Sequence, residues 1–297
     1  MRPLEDAKHP RIRGLDLAAF KRQLDFLEST YSIVSSEDVI AAVTKNKFLP
    51  KNPCWLTFDD GYKDHYTYVY PELLARKLSG AFFPARLAAQ ESVVLDVNAI
   101  HYILAYADNG SALVADIHEQ CILHGLSSSL VKSLYEVHGG PSRFDDSDTA
   151  YVKRMLQYVL PEDIRSSIIS VLLRKYVGIT EGNLSGDLYM SVSEVSELVR
   201  GGMFVGSHGS KHLWLDRCSY ETQKDDITAS LAFLEEVGAA TSNWIMCYPH
   251  GAYNDLTRSL VAQLGASVGV TIESRKAVIG VDDALALPRL DTNDFPN

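Results

Sequence analysis

Two adjacent carboxylates close an apolar run: Cys54-Trp55-Leu56-Thr57-Phe58 leads directly into Asp59-Asp60-Gly61-Tyr62. Burying two ionised groups side by side is costly unless a cation or a proton lies between them. Gly61 permits the tight turn that would leave both at the C-terminal edge of a strand, where α/β folds carry out chemistry. Taken alone, the Asp-Gly pair also reads as a simple β-turn. A second apolar run, Phe204-Val205-Gly206-Ser207, precedes His208-Gly209-Ser210-Lys211-His212. Histidines at i and i+4 share a face in a helix or turn, a spacing suited to gripping one metal ion. A carboxylate with two imidazoles suits a divalent cation of borderline character.

A third strand-end segment, Trp244 to Asn254, contains Tyr248-Pro249-His250-Gly251. In order, Thr57 to Gly61, His208 to His212 and Tyr248 to Gly251 resemble the successive motifs of the polysaccharide deacetylases, carbohydrate esterase family four. A given five-residue string arises by chance about once in a million positions, so the first motif is specific. The resemblance covers residues 15–88 and 188–291. It implies a distorted (β/α)7-type barrel, an α/β fold, built from residues 1–88 and 188–297, with a helical insertion at 89–187.

The elements that must position these motifs follow from periodicity. An apolar stripe of Leu17, Phe20, Leu24 and Leu27 predicts a helix over 15–28, then a strand at Ser32 to Val34 and a helix capped by Ser36. Further helices are predicted at 68–78, 192–200, 220–237 with Ser219 as cap, and 255–264. Strands are predicted at 54–58, 80–84, 204–207, 244–248, 268–272 and 285–290. Alternating strands and helices with apolar strands imply parallel pairing buried on both faces. Residues 89–187 instead read as helices near 99–107, 112–123, 129–138, 151–158 and 162–176, an insertion that covers the substrate, stabilises the barrel or dimerises.

The chain has 297 residues, enough for one barrel of about 200–250 residues plus the insertion. No apolar run approaches the 18 residues of a membrane span. The first residues, Met1-Arg2-Pro3-Leu4-Glu5-Asp6, lack an apolar signal core, so a cytoplasmic location is expected. Cys54, Cys121, Cys218 and Cys247 are scattered, without zinc-ribbon spacing. A net charge of −10 argues against nucleic acid as a partner.

Matched residue by residue, the resemblance implies that Asp60, His208 and His212 hold one divalent ion, expected to be zinc, while Asp59 takes the proton from the attacking water. The backbone N–H of His250 would help form the oxyanion hole. Three departures stand out. Gly209 replaces the usual Ser or Thr after the first histidine, with Ser210 as a substitute donor to the ligands. Cys247 stands near the place of the usual arginine, so Arg289 is the candidate replacement, with Asp291 beside it. No histidine follows His250 to supply the general acid, which leaves His250 itself, His65, His101 or a proton returned by Asp59. The expected activity is removal of an N-acyl group, acetyl or formyl, from a nucleotide- or lipid-linked amino sugar in a surface-glycan pathway. A catalytically silent glycan-binding relative and a metal-dependent phosphoesterase are the alternatives.

Overall fold

The computed structural model describes all residues except 5–8, 10, 13, 92, 143–144 and 296–297. It divides into two compact units, one of residues 1–7, 14–92 and 186–297, the other of 8–13 and 93–185.

Among the described residues the first unit holds seven short strands: β1 (Ser32–Ile33), β2 (Pro53–Cys54), β3 (Thr57–Asp60), β4 (Ala81–Pro84), β5 (Phe204–Val205), β6 (Trp244–Cys247) and β7 (Ala266–Val270). All pairing among them is parallel, in the orders β1-β2, β3-β4-β5 and β6-β7. Single parallel bridges, Ser207 to Met246 and Val270 to Leu287, carry the sequence of neighbours onward. From β3 to β7 each strand therefore lies beside the next in chain order, as in an irregular α/β barrel. Alternation sorts the side chains. Phe58 stacks on Phe82 at 4.9 Å and meets Phe20 of the helix Leu17–Thr30 edge-on. The alternate positions, Ala81, Phe83, Ile245, Cys247 and Val268, form a second cluster with Val34 and Leu287.

Several predicted boundaries move for local reasons. The helix Ser36–Lys45 is capped by Ser35, which forms a reciprocal capping box with Asp38. Ser36 is instead the first helical residue, and its hydroxyl accepts a hydrogen bond from Trp55 Nε1 at 3.0 Å. The run expected as one strand from 54 to 58 is interrupted at Trp55 and Leu56, and the later strand extends through both aspartates. The helix expected at 68–78 begins earlier as a π turn, His65–Val69, and continues as Tyr70–Arg76. The strand expected at 285–290 reduces to the bridge at Leu287, beyond which Arg289 N bonds the Glu273 carbonyl at 3.0 Å out of ladder register.

The second unit is helical, with Asp96–Tyr106, Gly110–Leu123, Ser128–His138, Ser147–Arg154 and Glu162–Val177 as its main elements. Asn109, Ser127 and Asp146 cap three of these through side-chain acceptors. Its core buries Ile100, Ile103, Leu113, Ile117 and Tyr151 completely. His9 belongs to this unit: its ring meets Tyr102 edge-on at 4.9 Å and lies 3.0 Å from the Tyr106 hydroxyl.

Candidate metal centre

Parallel register sets Asp59 beside Phe83 and Asp60 beside Pro84 at the C-terminal end of β3. The chain then turns through Gly61, where a Cβ would fall 2.7 Å from that of Pro84. His208 follows the bridge residue Ser207, and its Nδ1 lies 2.7 Å from the Cys247 carbonyl oxygen. That oxygen only accepts, so Nδ1 carries the hydrogen and Nε2 is aimed at Asp60 Oδ1, 3.1 Å away. His212 Nε2 reaches the same oxygen at 3.4 Å.

The two histidines do not meet by helical spacing. Gly209 (φ +69°) and His212 (φ 57°) both take left-handed backbone, folding the segment into a tight loop. Asp226, buried in the helix Tyr220–Glu236, holds that loop by accepting from Ser210 N at 3.0 Å and Lys211 N at 2.8 Å. A Cβ at position 209 would lie 2.6 Å from the same carboxylate, which explains glycine there. The Ser210 hydroxyl, expected as a donor to the ligands, accepts from Arg86 Nε at 2.7 Å.

These donors fit a cation. Burial alone would raise the Asp60 carboxyl, yet His208 and His212 hold it well below the usual carboxylate range. Burial would lower His208, yet Cys247, Asp60 and Asp59 leave it well above the usual imidazole value. A neutral Nε2 facing a carboxylate would set lone pair against lone pair, so a proton or a metal belongs between them. Tetrahedral zinc, with bonds of about 2.0–2.2 Å to N and O, sets its donors roughly 3.3–3.6 Å apart. The observed 3.1 and 3.4 Å lie close to that spacing. Asp59, His208 and Cys247 also lie within reach of one another, but the Arg289 guanidinium already occupies Asp59 and approaches Cys247 Sγ at 3.4 Å. Burial keeps that thiol's pKa raised.

Arg289 grips Asp59 in a fork, Nη1 to Oδ1 at 2.8 Å and Nη2 to Oδ2 at 2.7 Å. Thr57 Oγ1 and the Thr271 carbonyl accept its remaining donors. Burial pushes the Asp59 carboxyl up, but Arg289 outweighs it and holds the group ionised. Arg289→Leu should therefore destabilise the fold. A fully buried pair broken on one side costs about 3–5 kcal/mol; Asp59 keeps 34% of its side-chain surface in solvent, which reduces the cost to about 2 kcal/mol. The wild-type contribution is present above about pH 4, the unfolded carboxyl value, and lost as pH falls through the lower folded value. The deficit of the variant, read by denaturant titration, should be largest at neutral pH and shrink below about pH 4. A deficit independent of pH would show that the pair contributes no charge coupling.

The structure does not bring Asp291 to this site. Its exposed carboxylate caps the turn Thr292–Asp294, accepting from Asn293 N at 2.9 Å. His250 does reach it, with left-handed backbone (φ 58°), its ring edge-on to His212 at 4.4 Å and stacked on Trp214 at 4.3 Å. Burial, with His212 and His208 beside it, pushes the His250 imidazole down to about 2, while a hydrogen bond to the His212 backbone opposes the shift. His65 is pushed down to about 3 by burial among Phe58, Tyr62 and Phe82, and His101 is exposed on a helix of the second unit.

Asp60, His212 and His250 share left-handed backbone, at about 1–2 kcal/mol per non-glycine residue. An aromatic stack contributes about 0.5–1.5 kcal/mol, comparable with the strain at one such residue. Asp226 and Trp214 escaped the reading of the sequence. Asp226 had one visible signal, a carboxylate within the buried stripe Gln223, Asp226, Ile227, Ser230 and Phe233; Trp214 had none. A cavity of about 450 Å³ in the first unit, lined by Leu24, Val34, Trp55, Leu287 and Arg289 among others, touches none of the three proposed ligands.

The irregular parallel barrel carries at its strand ends an Asp-His-His cluster whose donor set suits one metal ion. The family model described as polysaccharide deacetylase matches residues 143–269, which include both histidines and Tyr248 to Gly251 but not Asp59 and Asp60. Solved structures agree in fold. The deacetylase PplD of Streptococcus pyogenes, in complex with acetate, has a TM-score of 0.55 at 18% identity, covering 93% of this chain and 80% of that one. IcaB from Ammonifex degensii gives 0.56 at 17%, covering 99% and 90%. The BpsB deacetylase domain from Bordetella bronchiseptica gives 0.53 at 15%, covering 91% and 83%. No curated protein sequence matches the chain. The chain shares its fold with these deacetylases, and the family model matches part of its length.

Proposed function

We propose that this protein is a zinc-dependent hydrolase that removes an N-acyl group, by preference acetyl, from an amino sugar. The observation that carries this reading is the division of labour between neighbouring carboxylates: Asp60 Oδ1 faces two imidazole nitrogens, while Asp59 is held by Arg289 and free of both histidines' hydrogen bonds. The relative from Streptococcus pyogenes was solved with acetate, the acid that deacetylation releases.

Asp60, His208 and His212 would hold the ion, which when bound supplies Lewis acidity to the acyl carbonyl and to the attacking water. Asp59 accepts the proton of that water as its oxygen bonds to the acyl carbon. Arg289 keeps Asp59 ionised and ready to accept, and makes its protonated form a strong donor. The same proton then passes to the sugar nitrogen as the C–N bond breaks, releasing a carboxylic acid and a free amine. This route dispenses with a late histidine. The backbone N–H of His250 is the proposed oxyanion donor.

The test is a panel of N-acetyl and N-formyl amino sugars, free, nucleotide-linked, lipid-linked and oligomeric, with acid and amine identified by mass spectrometry. Zinc-loaded protein should release equal amounts of both, chelation should stop the release, and added zinc should restore it. Absence of amine from every substrate with fully loaded protein would leave a glycan-binding relative as the reading.

A further inference from the structure

Trp214 lies two residues beyond His212, yet its indole packs on a residue from another segment: the rings of Trp214 and His250 are 4.3 Å apart and 9° from parallel. The loop after β5 and the turn after β6 are thereby joined face to face. His250 in turn meets His212 edge-on at 4.4 Å. The turn carrying His250 has little freedom, because Pro249 precedes it and a Cβ at Gly251 would strike Ile272 at 2.4 Å. The guanidinium of Arg217 also lies over the indole, 5.3 Å from the ring centroid. Trp214 is thus engaged by protein groups, which suits packing better than a platform for a sugar.

His212 needs such support. Its φ of 57° is one that side chains beyond Cβ rarely adopt, and Asp226 secures only the preceding residues Ser210 and Lys211. We propose that Trp214 and His250 form a stacked brace that holds His212 in its left-handed conformation, making both of them positioning residues for the ligand set. The inference rests on the metal reading of Asp60, His208 and His212. It gives the His250 side chain a task outside the proton path.

Zinc-loaded wild type, Trp214→Phe, Trp214→Ala, His250→Phe and His250→Ala would be mixed with a competing chelator and zinc release followed in time. Residues that orient a ligand are typically worth about 10–100-fold in metal affinity, so both alanine variants should lose zinc about tenfold faster or more. Trp214→Phe, which keeps an aromatic face, should restore retention. The pH–rate profile of His250→Phe should keep its alkaline limb. If an alanine variant fails to fold by circular dichroism, Trp214→Leu and His250→Gln carry the same comparison. Wild-type retention in both truncated variants overturns the brace, as does loss of the alkaline limb in His250→Phe. A wild type that binds no divalent ion overturns the metal reading and the brace with it.

Discussion

Asp59→Asn should keep its metal and lose turnover by about 10²–10⁴-fold, the usual worth of a positioned base. Asparagine preserves the size of the side chain and one oxygen for Arg289, but cannot accept the water proton. The three donors of the metal cluster remain, since Asp59 is outside the contacts that Asp60 makes with His208 and His212. Asp60→Asn should differ in kind, weakening metal binding and activity together, because the amide offers a neutral oxygen where two imidazoles meet an anion. Metal content per protein and turnover on the best N-acyl substrate separate the two cases. Equal metal loss in both variants would show that the carboxylates share one role.

Removing His208 should have the next largest effect. Its Nδ1 bond to the Cys247 carbonyl aims Nε2 at Asp60, so His208→Ala deletes a proposed ligand whose orientation the fold has already set. The variant should hold no stoichiometric zinc after dialysis, and turnover should fall to background. His212→Ala should behave alike. The barrel itself should survive, because the packed clusters around Phe58 and Ile245 do not depend on either ring. Elemental analysis with circular dichroism decides: full zinc occupancy in His208→Ala would sink the ligand assignment.

Much of the site was legible because its parts are local in sequence. Asp59 and Asp60 follow an apolar strand, and His208 and His212 follow another, so residue type and strand ending suffice to nominate them. The partnership of Arg289 with Asp59, across 230 positions, was nominated only through a missing arginine; the fork geometry is a property of the folded barrel. Asp291, two residues later, was nominated by the same nearness in sequence and failed. Beyond Arg289, whose N–H still bonds the Glu273 carbonyl, the Asp291 side chain turns to cap its own backbone. His250 shows the limit most clearly. A motif position placed it at the site, but its role depends on Trp214 and on burial, and neither is encoded near it in the chain.

The sequence by itself determined the alternation of strands and helices, the helical character of the middle segment and the identity of the carboxylates and imidazoles, since each follows from patterns a few residues long. Tertiary structure alone decided which groups share a charge. It set one oxygen of Asp60 against two imidazoles, clamped Asp59 with a guanidinium from two residues beyond the bridge at Leu287, and bent Asp60, His212 and His250 into left-handed backbone. The physical reason is that these outcomes depend on distances of about 3 Å between segments far apart in the chain. Burial strengthens the electrostatics there, and the strain is tolerated only because packed neighbours hold it.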